Sequence, residues 1–180
     1  MKIDELLEIL EPGDFILFDN ESFISKIIKR FQKNSHVGIY SGAGFLYHMT
    51  YPTARKDYLP DYIGNQIITV MRFNEVSDSK IGRMLRLSKE DIDAQRPYNF
   101  KGLIAGFPLF LLFRRIGIKL IDIAYNDGKS VVCSAWAVEK ARSAGIPVFA
   151  FMGIDTATPD DILHSYDMFS VLNRCKVELS

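Results

Sequence analysis

The fold of this chain is decided by the stretch SHVGIYSGAGFLYHMT, residues 35–50. Two runs rich in valine, isoleucine, leucine and aromatic residues flank a turn with two glycines, which predicts two antiparallel strands joined by a short loop. Each predicted strand carries one histidine, His36 in the first and His48 in the second, and the chain holds only three histidines. The hairpin raises a chemical question, because it places two titratable rings where apolar side chains are expected.

Strand geometry places the two histidines on one face of the predicted hairpin. Side chains alternate between the two faces of a strand, so His36 shares its face with Tyr40. Pairing of Tyr40 with Gly44 across a three-residue loop would set His36 directly opposite His48, with Cβ atoms roughly 5 Å apart. A two-residue loop would shift the register by one and send the rings to opposite faces. We therefore predict the three-residue loop and two imidazoles in contact; the alternative is a pair of half-exposed strand histidines with no shared role.

The rest of the chain predicts an α+β fold, with strands concentrated early and helices late. Apolar periodicity and turn residues are the signals used. The predicted strands lie at 15–18, 67–73 and 169–172, and the predicted helices lie at 2–10, 20–31, 78–94, parts of 99–124, 131–144 and from 158 onward. No repeat or linker divides the chain, so we expect a single domain over 1–180.

Composition and charge exclude several classes of protein. The chain has 180 residues, of which 48% are hydrophobic and 24% are charged, and the 22 basic residues balance the 22 acidic ones. These values are typical of a globular protein with no general attraction to nucleic acid. The basic stretch 26–33 is interpreted as the solvated face of a helix. Nucleic acid is therefore not among the expected partners.

The two cysteines and the apolar segments indicate where in the cell the protein is expected. Two cysteines do not form a disulfide framework, and we expect both to be reduced. The first residues lack the long apolar region of a signal peptide. The longest apolar run, Leu103–Phe113, is shorter than the roughly 20 residues that cross a bilayer. We expect a cytoplasmic protein, with peripheral membrane contact as an option.

Cys133 is the candidate nucleophile. It lies near the start of the predicted helix 131–144. Unpaired N–H groups and the helix dipole favour a thiolate at that position, which predicts a lowered pKa for the thiol. The same N–H groups could stabilise an oxyanion, and a cysteine at a helix start with histidines elsewhere in the chain fits nucleophilic catalysis. The alternative is a buried structural thiol, which is the main interpretation for Cys175.

Five short motifs follow one another along the chain: PGDFILF (12–18), SHVGIY (35–40), RPYNF (96–100), CSAW (133–136) and TPDDILHS (158–165). Taken in this order, they resemble circularly permuted relatives of the NlpC-type papain-fold peptidases. The similarity is to the YiiX-like branch, which is related to lecithin:retinol acyltransferase, and it extends from Pro12 to about Leu172. In the permuted order the histidine strand precedes the cysteine helix, as it does here.

The resemblance implies a papain-like fold in which an antiparallel sheet or small barrel carrying the histidine strand packs against the cysteine helix. It implies a triad with Cys133 as nucleophile, His36 as general base and His48 as the third member. The reaction would be acyl transfer from an amide or ester bond, without a metal or other cofactor. The substrate or oxyanion residues predicted beside the triad are Tyr98, Ser134 and Tyr40.

The segment between the tyrosine motif and the cysteine bears on the substrate. An apolar run is followed by basic residues, so 103–119 is either a buried helix pair or an apolar wall or lid that contacts acyl chains or a membrane surface. A lipid or amphipathic acyl compound is the favoured substrate. A peptidoglycan stem peptide is the alternative.

Two other functions stay open at this point. Cys133, His36 and His48 could together hold a zinc ion with an open fourth position, although the close ligand pairs of common zinc motifs are missing. The chain could also be a binding module that keeps the fold without the chemistry. The sequence predicts no particular oligomeric state.

Overall fold

The computed structural model describes residues 1–19, 36–64, 66–100, 131–149 and 157–178. In this part the chain is α+β, with a six-stranded antiparallel sheet packed against helices. The strands are β1 (Phe15–Asp19), β2 (His36–Gly42), β3 (Phe45–Met49), β4 (Ala54–Tyr58), β5 (Ile67–Phe73) and β6 (Phe169–Lys176). The helices are α1 (Ile3–Ile9), α2 (Leu59–Ile63), α3 (Asp78–Asp93), α4 (Cys133–Ser143) and α5 (Pro159–Leu163).

The sheet has the strand order β4-β3-β2-β1-β5-β6, so β1 and β2 lie at its centre. Alternating apolar side chains give each of these two strands an apolar group on both faces. One face packs against α3 and α4 and buries Phe15, Leu17, Val37, Ile39 and Trp136. The other packs against α1 and α2 and buries Ile16, Phe18, Leu46, Leu59 and Leu6.

The β2–β3 hairpin does not have the predicted register. Tyr40 pairs with Leu46 rather than with Gly44, and Gly42 pairs with Phe45. The prediction of a three-residue loop is therefore wrong, since only two residues separate the paired positions. Both loop residues have positive φ, 51° and 79°, as a type I′ turn requires.

A β-bulge keeps the two histidines on one face despite the two-residue loop. The register shifts between Tyr40 and Gly42, so Ser41 is an extra residue on β2. This shift cancels the one-residue misalignment that the tight loop alone would cause. His48 consequently pairs with Gly38, two residues along β2 from His36, and the two rings are diagonal neighbours rather than directly opposite.

Most of the predicted elements that fall on described residues are present. The predicted helix 131–144 begins at Cys133 and ends at Ser143, so the cysteine is its first residue. β4 and α2 were not predicted, and the ARKDY segment of β4 is too charged to be recognised as a strand. Charged residues are common on such edge strands, where they discourage pairing with another chain. The predicted helix at 20–31 and the apolar run 103–113 lie outside the described residues.

The 96–98 segment joins the region of β4 to the region of α4. On one side, the N–H of Tyr98 donates to the carbonyl of Pro52, 2.9 Å away. On the other side, the N–H of Val131 donates to the carbonyl of Pro97 at 3.3 Å. Tyr98 is thereby held beside the residues that lead into the cysteine helix.

A charged network fixes α4 against α3. Arg96 makes a bidentate pair with Glu139, at 2.6 and 2.9 Å. Asp91 accepts hydrogen bonds from Arg96 at 3.0 Å, from Lys140 at 2.6 Å and from the Trp136 indole at 2.7 Å. Because these five residues come from α3, the 96–98 segment and α4, the network sets the position of the cysteine helix.

Among the described helices, none is long and apolar enough to cross a membrane.

Candidate active site

The two hairpin histidines are hydrogen-bonded to each other. His36 Nε2 lies 2.9 Å from His48 Nδ1, and both side chains are buried. Gly38, which pairs with His48, has no side chain, and a Cβ there would lie 2.7 Å from Leu46. The side chain of Leu46 thus packs directly over the backbone of Gly38. The prediction that the two rings are in contact is confirmed, although the register that brings them together differs from the predicted one.

A carboxylate extends this pair. His48 Nε2 lies 2.9 Å from Asp57 Oδ2, and Arg55 Nε lies 2.8 Å from the same oxygen. Asp57 and Arg55 both belong to β4, where Arg55 pairs with His48 across the sheet. The hydrogen bond from His48 lowers the pKa of Asp57; burial opposes this, while the charges of His48 and Arg55 act in the same direction. The carboxylate is therefore ionised near neutral pH.

The ionised carboxylate determines where the imidazole protons lie. A carboxylate only accepts hydrogen bonds, so Nε2 of His48 must carry a proton and donate it to Asp57. Neutral His48 then has a lone pair on Nδ1, which accepts the Nε2 proton of His36. Neutral His36 consequently keeps its lone pair on Nδ1. That nitrogen is the one able to act as a base.

Both rings are neutral near pH 7. Burial lowers the pKa of His36 well below its usual value, and the neighbouring His48 and Arg55 lower it further. Burial also lowers the pKa of His48, although the hydrogen bond and charge of Asp57 act in the opposite direction. A neutral imidazole is the state that a general base needs.

Cys133 lies beside the first residues of β2. The pairing of β2 with β3 begins at Gly38, and the N–H of Val37 hydrogen-bonds to the Cys133 sulfur instead. The N–H groups of Cys133 itself and of Ser134 also hydrogen-bond to the sulfur, because the cysteine is the first residue of α4. The thiol is therefore adjacent in space to the residue that follows His36.

The predicted lowering of the thiol pKa is wrong. Burial raises the pKa of Cys133 to about 11, and the three backbone N–H groups only partly offset this effect. The helix start contributes as expected, but the side chain is only 6% exposed and desolvation of the thiolate costs more. The resting site accordingly holds a neutral thiol and a neutral imidazole rather than an ion pair.

Tyr62 of α2 forms a wall of the site and was not predicted. Its ring contacts His48 edge-on, with centroids 4.6 Å apart, and lies 6.0 Å from the ring of His36 and 5.2 Å from that of Phe18. Burial raises the pKa of Tyr62, and so does the nearby Cys133. The phenol is therefore un-ionised and can act only as a neutral hydrogen-bonding group.

Tyr98 is the predicted oxyanion residue that the fold brings near the cysteine. Its backbone forms a β-bridge with Val131, two residues before Cys133. Burial raises the pKa of Tyr98 well above its usual value, and the neighbouring Cys133 and Tyr62 raise it further. Two neutral phenols thus lie within electrostatic reach of the thiol.

The other two predicted substrate residues have their hydroxyl groups engaged elsewhere. Ser134 donates its hydroxyl to the carbonyl of Ala157, 2.6 Å away, so only its backbone N–H faces the sulfur. The hydroxyl of Tyr40 accepts the N–H of Gly44 at 2.9 Å and closes the hairpin loop. Both hydroxyl groups thus stabilise the local fold, while the backbone N–H of Ser134 stays beside the sulfur.

Asp57 is the main site residue that sequence reasoning missed, because its strand was missed. The signal was present: Asp57 is two residues from Arg55, as strand alternation requires for two side chains on one face. Nothing in the sequence indicated which residue of β3 they would contact. No group of three histidine, cysteine, aspartate or glutamate side chains in the described ranges is arranged to hold a metal ion.

No protein-family model matches this sequence, and no curated protein matches it. The site is therefore interpreted from its own geometry.

Proposed function

We propose that this protein is a cysteine hydrolase or acyltransferase that acts on an amide or ester bond. Cys133 is the nucleophile, His36 is the general base and His48 orients His36. One observation carries the proposal: the Cys133 sulfur accepts the N–H of Val37, next to a histidine whose ring is held at 2.9 Å by a second histidine. Tyr62 packs against both histidine rings, and Cys133 is near enough to raise the pKa of its phenol, so the thiol and the histidine pair lie beside the same side chain.

The proton states support general-base catalysis. His36 Nδ1 takes the thiol proton as the sulfur attacks the carbonyl carbon, which gives a tetrahedral oxyanion and an imidazolium. The imidazolium then donates this proton to the departing amine or alcohol, leaving a thioester on Cys133. Water, or an acceptor alcohol or amine, loses a proton to His36 and attacks the thioester, which releases the acyl group and restores the thiol.

The start of α4 supplies groups that stabilise the oxyanion. The backbone N–H groups of Cys133 and Ser134 point toward the sulfur, so they lie near the position where the oxyanion forms. Tyr98 adds a neutral phenol on the side of the 96–98 segment. We assign the oxyanion site to these groups.

The arrangement also supports the permuted papain-like fold as part of this proposal. The histidine strand β2 lies in the centre of an antiparallel sheet, and α4, with the cysteine as its first residue, packs on that strand. The histidine strand precedes the cysteine helix in the chain, as in the permuted order. These features are those expected of a circularly permuted NlpC-like domain.

The favoured substrate is a lipid or amphipathic acyl compound. Phe18 and Tyr62 pack against the ring of His36, and the buried phenols of Tyr62 and Tyr98 lie near the thiol, which makes this a weakly polar environment. An uncharged acyl group would enter such a site at a lower desolvation cost than a charged stem peptide. Esterase and amidase activity toward neutral acyl substrates is therefore expected first.

Trapping of the acyl-enzyme tests the proposal. The protein would be incubated with p-nitrophenyl esters of short and long fatty acids and, separately, with a peptidoglycan stem peptide. Peptide mass mapping would then locate any acyl adduct. We expect a thioester on Cys133, formed faster with long-chain esters, and none in Cys133→Ala or His36→Gln.

Cys175 is the matched control, because it is the only other cysteine and lies on the edge strand β6. Cys175→Ala should acylate as the wild type does. Full turnover by Cys133→Ala, or labelling of Cys175 alone, would refute the proposal and favour a binding module. If only the stem peptide acylates Cys133, the proposed substrate class is wrong but the proposed reaction stands.

A further inference from the structure

We propose that Asp57 is a fourth member of this site, a positioning residue that sets the tautomers of both histidines so that His36 presents its Nδ1 lone pair to the thiol. The inference rests on the proposed function for its catalytic meaning. Its structural content, the tautomer of His36, is independent of any substrate.

The geometry supports a single chain of hydrogen bonds. Asp57 Oδ2 and His48 Nε2 are 2.9 Å apart, and His48 Nδ1 and His36 Nε2 are 2.9 Å apart. His48 uses one nitrogen toward Asp57 and the other toward His36, so the acceptor at the Asp57 end determines every donor along the series. The carboxylate accepts only, and it therefore sets the direction.

The opposite direction is unfavourable for an electrostatic reason. If His48 carried its proton on Nδ1, its Nε2 lone pair would face the Asp57 carboxylate at 2.9 Å. His36 would then accept at Nε2 and hold its own proton on Nδ1, and it could not take a proton from Cys133. Without Asp57, the two directions would differ little in energy, and a fraction of molecules would have no competent base.

The charged and titratable groups around these hydrogen bonds keep the Asp57 carboxylate ionised. Arg55 on β4 donates to the same oxygen that His48 uses, at 2.8 Å, and opposes protonation of Asp57. Tyr62 of α2 packs against the ring of His48, with centroids 4.6 Å apart. Among the described residues, His36 of β2 is the other titratable group that is hydrogen-bonded to His48. The side chains of Arg55 and Asp57 are 49% and 26% exposed. The series of hydrogen bonds therefore begins at the solvent-exposed edge of the sheet and leads toward the buried thiol.

The decisive measurement is the tautomer of His36, from two-bond ¹H–¹⁵N spectra of the imidazoles at neutral pH. In the wild type we expect the Nε2–H form for both histidines. In Asp57→Ala we expect a mixture that includes the Nδ1–H form of His36. Asp57→Asn keeps an oxygen that can accept from His48 and should retain the wild-type tautomers.

Kinetics on the acyl ester substrate give a second readout. For Asp57→Ala we expect kcat to fall by on the order of 10²- to 10⁴-fold, the scale seen when the orienting carboxylate of a catalytic triad is lost, with little change in KM. Added formate should restore part of kcat, because the position of Asp57 is reachable from solvent. Asp93→Ala, which removes an exposed carboxylate of α3, is the control and should behave as wild type.

The two readouts separate the possible failures. Wild-type tautomers in Asp57→Ala, or a kcat equal to that of Asp93→Ala, would overturn the role of Asp57. Asp57-dependent tautomers without acylation of Cys133 would support the role of Asp57 and refute the proposed function. If Asp57→Ala does not fold, Asp57→Ser takes its place, since its hydroxyl is too short to reach His48.

Discussion

Two networks of polar side chains lie within this fold, and they differ in kind. The network of Asp91, Arg96, Glu139 and Lys140 consists of charged groups that stay charged over the physiological pH range, since their pairing lowers the pKa values of both carboxylates against the opposing effect of burial. The chain from Asp57 through the two histidines holds one carboxylate and two neutral rings.

The two networks therefore have different roles, one in stabilising the fold and the other in transferring a proton. Charged pairs with several hydrogen bonds hold α3, α4 and the 96–98 segment in one arrangement, and they have no proton to exchange near neutral pH. The histidine chain contributes less to the packing of helices, but it can take up and release a proton. We therefore expect substitutions in the first network to change stability and substitutions in the second to change turnover.

The largest expected effect comes from the base. His36→Gln should lower turnover of the acyl ester by about 10³-fold or more, because the thiol then has no proton acceptor. The glutamine variant should remain folded by circular dichroism. His164→Gln, at the exposed third histidine, is the matched control and should retain wild-type turnover. Equal losses in both variants would contradict the role of His36 as the base.

The next effect is on stability. Asp91→Leu leaves Lys140, Arg96 and the Trp136 indole without a shared acceptor, and we expect the free energy of unfolding to fall by about 2–4 kcal/mol. Denaturant titration measures this change. Asp93→Leu, which removes an exposed helix ion pair of the same α3, should leave the midpoint unchanged. A stable Asp91→Leu protein with lost turnover would contradict the supporting role of this network.

A smaller effect is expected at Gly38, where the hairpin face is closely packed. A methyl group at Gly38 would lie 2.7 Å from the fully buried Leu46, so Gly38→Ala should destabilise the protein by about 1–3 kcal/mol. Gly82 lies in α3 with nothing within 4 Å, and Gly82→Ala should instead stabilise it by about 0.5–1 kcal/mol. Thermal unfolding of the two variants tests this pair, and a stable Gly38→Ala would show that Leu46 has room to move.

The smallest expected effect is on the pH dependence of the free energy of unfolding. His36 and His48 have lowered pKa values when folded, so below about pH 6.5 the unfolded chain binds protons that the folded one does not. The free energy of unfolding should therefore fall as the pH decreases, by up to about 1.4 kcal/mol per pH unit for each ring. Asp57, Asp91 and Glu139 also have lowered pKa values, and their contribution should be lost only below about pH 4.

Two variants separate the contribution of the histidines from that of Asp91. His48→Gln should reduce the step that begins near pH 6.5, because one of the two rings no longer titrates. Asp91→Asn should reduce only the step in the acid range. Urea titrations at a series of pH values would measure both steps, and an unchanged first step in His48→Gln would show that the histidines titrate freely in the folded protein.

Much of the fold was predictable because its signals are local. The apolar strand of β5 was predicted with its observed bounds, 67–73, and the 16-residue helix α3 within one residue of its end. β4 was not predictable in this way, because an edge strand tolerates charges that elsewhere indicate a loop. The part of the site that could be predicted was the contact between His36 and His48. This contact requires the hairpin register to place both side chains on the same face of the sheet. The bulge at Ser41 was not predicted, although it keeps the two histidine side chains on one face.

The sequence by itself determined which residues could carry chemistry: one cysteine that begins a helix and two histidines on neighbouring strands. Only the tertiary structure decided their states. Burial raised the pKa of the Cys133 thiol despite its place at a helix start, and the antiparallel pairing of β3 with β4 brought Asp57 to His48. Desolvation and cross-strand contacts depend on what surrounds a group in space, and a linear pattern does not contain that information.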